Sequence, residues 1–212
     1  MNFFDCVVKC IIDDLSPKDS KFIVTEFMSR KLLTPIWDYN RFADGVSLDD
    51  QKKKSFASAN TILVPVLSSG HFTLYVFSMN KSFRQIYILD SLERDYDGPK
   101  APGKEHRELH HANTKKYIAA RMTKVVRRTC PQLELEWTEN DCVYFDVSSQ
   151  GNSQNCGFHV LKYLELWNGD EGNCKSVNEE MIEAYRLEVL EKILSHRSNT
   201  TVIPDEIKKY LP

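Results

Sequence analysis

Four residues, in chain order His71, Asp90, Gln150 and Cys156, carry the side chains that thiol acyl transfer requires. In that chemistry a thiolate attacks a carbonyl, an imidazole takes up and then delivers a proton, and a carboxylate orients the imidazole and stabilises its cation. A side-chain amide close to the cysteine donates to the developing oxyanion, together with backbone N–H groups. Singly these residues carry little weight. His71 reads equally as a surface histidine at a strand end, Asp90 as a turn-capping acid and Gln150 as an exposed loop residue. Cys156 alone reads as a small buried side chain, because free cysteine is among the most buried residue types.

The elements expected to position them decide the matter. A polar, turn-rich loop from Gln150 runs into Cys156 and Gly157, and Val160, Leu161, Leu164 and Trp167 then recur at helical spacing. That pattern predicts a buried helix with Cys156 in its first turn, where unpaired N–H groups and the macrodipole favour an anion. A thiol there is biased toward thiolate, and Gly157, lacking a side chain, allows a substrate backbone to come close. Upstream, His71–Ser78 and Phe83–Asp90 are two β-rich runs about the polar turn Met79–Ser82. They predict an antiparallel hairpin that brings His71 and Asp90, 19 residues apart, to the same end of a sheet.

Around this frame, Phe4, Val7, Val8, Ile11, Ile12 and Leu15 predict a first helix ending near Asp13 and Asp14. Apolar residues so close to Met1 suggest that the chain begins inside an element. Ser16, Pro17 and Asp19 predict the start of a second helix running to about Leu33. From Thr34 to Asn60 the pattern is irregular and predicts loops with a short helix, Lys52–Lys54 being a solvated surface. Thr61–Leu67 predicts a strand in which Pro65 suits an end or an edge. A helix over about 107–128 carries Lys116, Arg121, Lys124 and Arg128 on one flank, read as a solvated face. Its His106, His110 and His111 include an i, i+4 pair of metal-ligand spacing, but no further ligand is near in sequence and no metal is expected. Leu133–Trp137 and Cys142–Val147 predict short strands. Ser176 and Glu179 form a capping box before a last helix with Ile182, Tyr185, Val189 and Ile193 on its buried face.

Composition sets the bounds. The 212 residues, 42% hydrophobic and 27% charged, suit one domain spanning 1–212 with a sizeable core. No apolar run approaches the roughly 18 residues of a membrane span, and no secretory signal is evident, so an intracellular location, nuclear or cytoplasmic, is expected. The net charge of −2 supplies no argument for nucleic acid. Six cysteines without a Cys-x-x-Cys pair are expected to be reduced thiols.

Three motifs carry a resemblance. Val64-Pro65-Val66 followed by His71-Phe72, then Tyr87-Ile88-Leu89-Asp90-Ser91-Leu92, then Gln150 six residues before Cys156-Gly157-Phe158, resemble the Ulp1/SENP family of ubiquitin-like-protein proteases. The order His, Asp, Gln, Cys and the general spacing agree, and the likeness extends over roughly residues 1–196. The resemblance implies an α+β, papain-like (adenain-type) cysteine protease fold, with a central mixed sheet flanked by helices. It implies cleavage after the C-terminal diglycine of SUMO, a NEDD8-like protein or a related modifier, by a monomer without cofactor, nucleic acid or membrane. Cys156 would be the nucleophile, His71 the base and acid, Asp90 the orienter and Gln150 the oxyanion donor. Two tryptophans clamp the diglycine tail in the family. Here Phe72 stands at one of those positions, and the family's N-terminal Trp-Leu motif is missing, leaving Trp37 or an upstream segment to supply the second wall. The stretch from His71 to Asp90 is slightly longer than usual, which a longer hairpin turn absorbs. Loss of the N-terminal motif also admits a non-catalytic reading, a truncated relative that keeps the fold and only binds a modifier or partner protein.

Overall fold

In the computed structural model the described residues are 2–16, 20–34, 50–92, 104–152, 154–168, 171–197, 199 and 202–208. Their centre is the run of β-branched and aromatic residues between Thr61 and Leu89. β2 (Thr61–Ser68) and β3 (His71–Ser78) form a hairpin about Ser69 and Gly70, whose φ values of 50° and 80° give the left-handed turn that matches strand twist. β4 (Ile86–Leu89) pairs antiparallel with β3, with Leu74 opposite Leu89. β1 (Lys21–Ile23) and β5 (Cys142–Phe145) add parallel edges, giving a five-stranded mixed sheet in the order β1-β2-β3-β4-β5.

Alternation along the strands splits the core into two layers. Ile62, Val64, Val66, Tyr75, Phe77, Ile86 and Ile88 pack with α2 (Glu26–Leu33) and α4 (Lys104–Thr129). Leu63, Leu74, Val76 and Leu89 face the other way, against α1 (Phe3–Asp14), α5 (Cys156–Leu166) and α7 (Glu179–Ser195). The short helices α3 (Asp50–Ser58), α6 (Glu171–Lys175) and α8 (Asp205–Lys208) complete the described α-helices. The α+β architecture with helices on both faces of a mixed sheet is the expected one.

Several local expectations are corrected. The second helix starts at Glu26, not at Ser16. Lys21–Ile23 is drawn into the sheet beside Thr61–Leu63, and Thr25 becomes the N-cap, accepting from the Met28 N–H. Asp5 of α1 adds a second cap, its carboxylate accepting from the backbone N–H of Glu26 and Phe27. Leu133–Trp137 alternates as expected, with Leu135 and Trp137 buried, but forms no strand. Its Trp137 N–H is satisfied by Thr123 Oγ1 of α4, at 2.8 Å, and not by a neighbouring strand. Asn178, not Ser176, caps α7, and the Ser176 hydroxyl donates to the Asn173 carbonyl. Arg121 is not on a solvated flank; its guanidinium turns inward and donates to the Leu32 carbonyl, tying α4 to the end of α2. Pro65 lies within β2, on the stretch beyond the end of the short β1, where its missing N–H costs no ladder bond.

Two tethers hold the helix that begins with Cys156. At its C-terminal end the Lys21 ammonium donates to the carbonyls of Leu164, Glu165 and Trp167 at 2.8, 2.9 and 3.0 Å, satisfying groups a helix leaves unpaired. At its N-terminal end the Glu179 carboxylate accepts from the Gly151 N–H (3.1 Å), from Asn152 Nδ2 (2.6 Å) and from Asn155 Nδ2. This explains the displaced capping box: the Glu179 side chain is engaged by the preceding loop, so it cannot fold back on its own helix.

Candidate active site

The β3–β4 register carries His71 and Asp90 to one end of the sheet, and α5, packed on β3, brings Cys156 to the same place. His71 Nε2 lies 2.7 Å from Asp90 Oδ1. This leaves Nδ1 for Cys156, and the thiol and imidazole share a hydrogen bond. All three side chains are buried. Gln150, the fourth expected residue, is buried on the same side, and its backbone N–H donates to the Ser91 carbonyl at 2.7 Å.

The electrostatics of the group are those of an ion pair poised to form. Burial pushes the Cys156 thiol up, but the His71 hydrogen bond and the backbone N–H groups of Phe72 and Gly157 outweigh it and bring the pKa below its ordinary value. Burial alone would favour neutral His71. The hydrogen bonds to Asp90 and Cys156 prevail and raise it to about 9. Asp90 is held far below the usual carboxylate range despite burial, first by His111, then by His71 and the Leu92 N–H. The thiolate is thus easier to form than in a free cysteine, His71 holds its proton near neutrality, and a carboxylate stands behind the cation.

Each residue of Asp90-Ser91-Leu92 has a separate task. Asp90 binds His71, the Ser91 hydroxyl donates to Gln150 Oε1 at 2.7 Å, and the Leu92 N–H donates to Asp90 Oδ1 at 3.0 Å. Gln150 Nε2 donates to the Asn152 carbonyl at 2.7 Å, which uses one of its two hydrogens and leaves the other.

Aromatic rings gather beside Gly157 at the start of α5. Phe4 of α1 stacks on Phe72 with centroids 4.3 Å apart and planes at 13°, and both rings lie against Gly157. A Cβ at Gly157 would meet Phe72 at 3.4 Å and Phe4 at 3.8 Å. Phe3 meets Phe158 edge-on, and the Arg186 guanidinium lies over Phe158. The expected second wall, Trp37, lies outside the described residues.

Sequence reasoning missed Phe4, Ser91, Glu179 and, above all, His111. From sequence, the last belongs to a histidine group that includes a pair of metal-ligand spacing. In the structure His111 Nε2 lies 2.9 Å from Asp90 Oδ2, and its Nδ1 lies 2.6 Å from the Tyr75 hydroxyl. Its signal was present: His111, Thr114, Lys115, Ile118 and Met122 form one buried stripe of α4, so a histidine on that stripe faces the sheet. The side chains of His106 and His110 lie outside the described residues.

Residues 2–197 match the Ulp1 protease family, C-terminal catalytic domain. No curated protein matches the chain. Among solved structures, the SUMO protease Ulp1 with its catalytic cysteine oxidised to a sulfinic acid is similar, at 18% identity and a TM-score of 0.61, over 91% of this chain and 75% of that one. The Xanthomonas campestris effector protein XopD bound to ubiquitin is similar at 15% identity and a TM-score of 0.57, over 90% of this chain and 88% of that one. At such identities the structural likeness speaks for the fold, and the family match speaks for descent: the chain belongs to the Ulp1 protease family and is a cysteine-type peptidase domain.

Proposed function

We propose that the protein cleaves the peptide or isopeptide bond after the C-terminal diglycine of a ubiquitin-like modifier, SUMO in the first place, with Cys156 as nucleophile. The observation that carries the reading is the unbroken hydrogen-bonded run Cys156–His71–Asp90 beside Gly157 and its aromatic wall. The Cys156 thiolate attacks the carbonyl carbon of the terminal glycine. The C–N bond breaks as the His71 imidazolium gives its proton to the leaving amine, which leaves a thioester on Cys156. His71, now neutral, takes a proton from water, whose oxygen attacks the thioester; the C–S bond breaks, the glycine carboxyl group departs and gives its proton to solvent, and the thiolate and imidazolium are restored. Asp90 stabilises the imidazolium, and the unused Gln150 amide hydrogen serves the oxyanion.

The wall of Phe72 and Phe4 beside Gly157 fits a substrate whose last residues have no side chains. Phe4 stacks on Phe72 and thickens that same wall. SUMO is placed first because the family contains a SUMO protease of the same fold. The test is labelling with SUMO, NEDD8-like and ubiquitin probes that carry a C-terminal electrophile. The expected result is a covalent adduct with the SUMO probe that Cys156→Ser abolishes. Binding of a modifier without an adduct from any probe would overturn catalysis and leave a recognition module.

A further inference from the structure

Asp90 holds two histidines, not one. His71 Nε2 approaches its Oδ1 at 2.7 Å and His111 Nε2 its Oδ2 at 2.9 Å, so the carboxylate lies between imidazoles from β3 and α4. An ionised carboxylate only accepts, so His111 Nε2 bears a hydrogen. Its Nδ1 faces the Tyr75 hydroxyl at 2.6 Å. Burial drives the Tyr75 pKa well up, so the phenol keeps its proton within this contact. The His111 ring is thereby held at both nitrogens, by the phenol on one side and the anion on the other. Tyr75, His111 and Asp90 are all nearly inaccessible to water.

We propose that His111, backed by Tyr75, is a positioning residue of the thiol relay that divides the charge of Asp90 between two imidazoles, so that His71 holds a proton it can still give up. The role rests on the proposed relay, but the contacts through which it acts do not depend on which substrate is cut. Chemistry supplies the reason for such a device. Burial strengthens the pairing of His71 with Asp90, and an imidazolium bound too firmly is a poor acid toward the leaving amine. A second donor on the far oxygen spreads the negative charge and weakens that hold. It also keeps a buried carboxylate oxygen from being left without a partner. Consistent with this, His111 is the foremost influence holding Asp90 in its ionised form. The other groups around the pair are Cys142 and Tyr144 of β5, Lys115 of α4, whose ammonium lies 4.6 Å above the Tyr144 ring, and Cys156 and His159 of α5 next to His71.

The experiment follows the His71 ring titration by NMR in Cys156→Ala protein, which needs no substrate, with and without His111→Leu. The expected midpoint rises by about half a pH unit or more in His111→Leu, and His111→Gln, which keeps an N–H at the same reach, restores it. Tyr75→Phe, which preserves the ring, moves the midpoint the same way by a smaller amount. This second variant decides the matter if His111→Leu does not fold. In protein retaining Cys156, kcat falls about tenfold in His111→Leu with KM unchanged, and recovers in His111→Gln. A midpoint that stays put or falls overturns the proposal, as does a kcat loss that His111→Gln fails to recover. Wild-type protein inert toward every modifier probe would sink the protease reading alone, since the titration stands without turnover.

Discussion

The Ser91 hydroxyl donates to Gln150 Oε1 at 2.7 Å, and the Ser91 carbonyl accepts the Gln150 backbone N–H at the same distance. One residue therefore fixes both the backbone and the side-chain amide of Gln150. With the carbonyl oxygen of that amide engaged, Nε2 points its hydrogens the opposite way. Orientation is therefore built in before any substrate arrives.

Ser91→Ala releases the Gln150 amide to rotate. The expected loss is about tenfold in kcat with KM unchanged, whereas Gln150→Ala loses about a hundredfold or more, as removal of an oxyanion donor does elsewhere. Steady-state kinetics on a SUMO-derived substrate distinguishes them. Equal losses in the two variants would mean that Ser91 does more than orient the amide.

The pH dependence follows from two opposed shifts. Cys156 is brought below its ordinary pKa and His71 is raised to about 9, so kcat/KM is expected to rise on the acid side as the thiolate forms and to fall as pH passes about 9. In stability the raised His71 contributes fully below its unfolded value of about 6.5 and loses that contribution as pH climbs through about 9. The depressed Asp90 contributes fully above about 3.9 and loses it as pH falls below that toward its folded value. Asp90→Asn removes the partner of the imidazolium, so the alkaline limb moves to lower pH. A pH–rate profile of both proteins checks the direction.

Gly157→Ala separates folding from substrate approach. A methyl group there makes ordinary contact with Phe72 and Phe4, and alanine is the better helix former by up to about 1 kcal/mol. The melting temperature should hold or rise. Reaction with a diglycine-tailed electrophile should slow about a hundredfold, as misplacement of reacting atoms by an ångström does, while alkylation of Cys156 by iodoacetamide continues. Unimpaired labelling by the tailed probe would show that the tail runs elsewhere.

Lys21→Met strips three hydrogen bonds from the end of the helix that begins with Cys156. Loss of charge-assisted bonds to helix carbonyls is expected to cost about 1–3 kcal/mol. The urea midpoint should drop at unchanged slope, with kcat little altered because the far end of the helix stays clamped by Glu179.

Much of this could be read from the letters because the determining patterns are local. Period-two alternation in His71–Ser78 and Ile86–Leu89 specifies strands, and a short polar turn between them specifies their pairing, so the meeting of His71 with Asp90 followed from geometry alone. The helical stripe Val160, Leu161, Leu164 and Trp167 placed Cys156 at a helix start in the same way. Where the reading erred, a distant segment had intervened. Lys21–Ile23 lacks the length to declare itself a strand, and only Thr61–Leu63 alongside makes it one.

Sequence by itself thus determined which types of group the protein carries and how neighbours along the chain are arranged, since strand and helix periods are properties of the backbone. Only the tertiary structure decided who else meets Asp90. His111 comes to it from a helix, tied in turn to Tyr75 of a strand 36 residues away, and Phe4 reaches Phe72 across 68 positions of chain. No periodicity encodes such contacts. They arise when two faces of the sheet are covered by helices and buried polar groups must find partners where they lie.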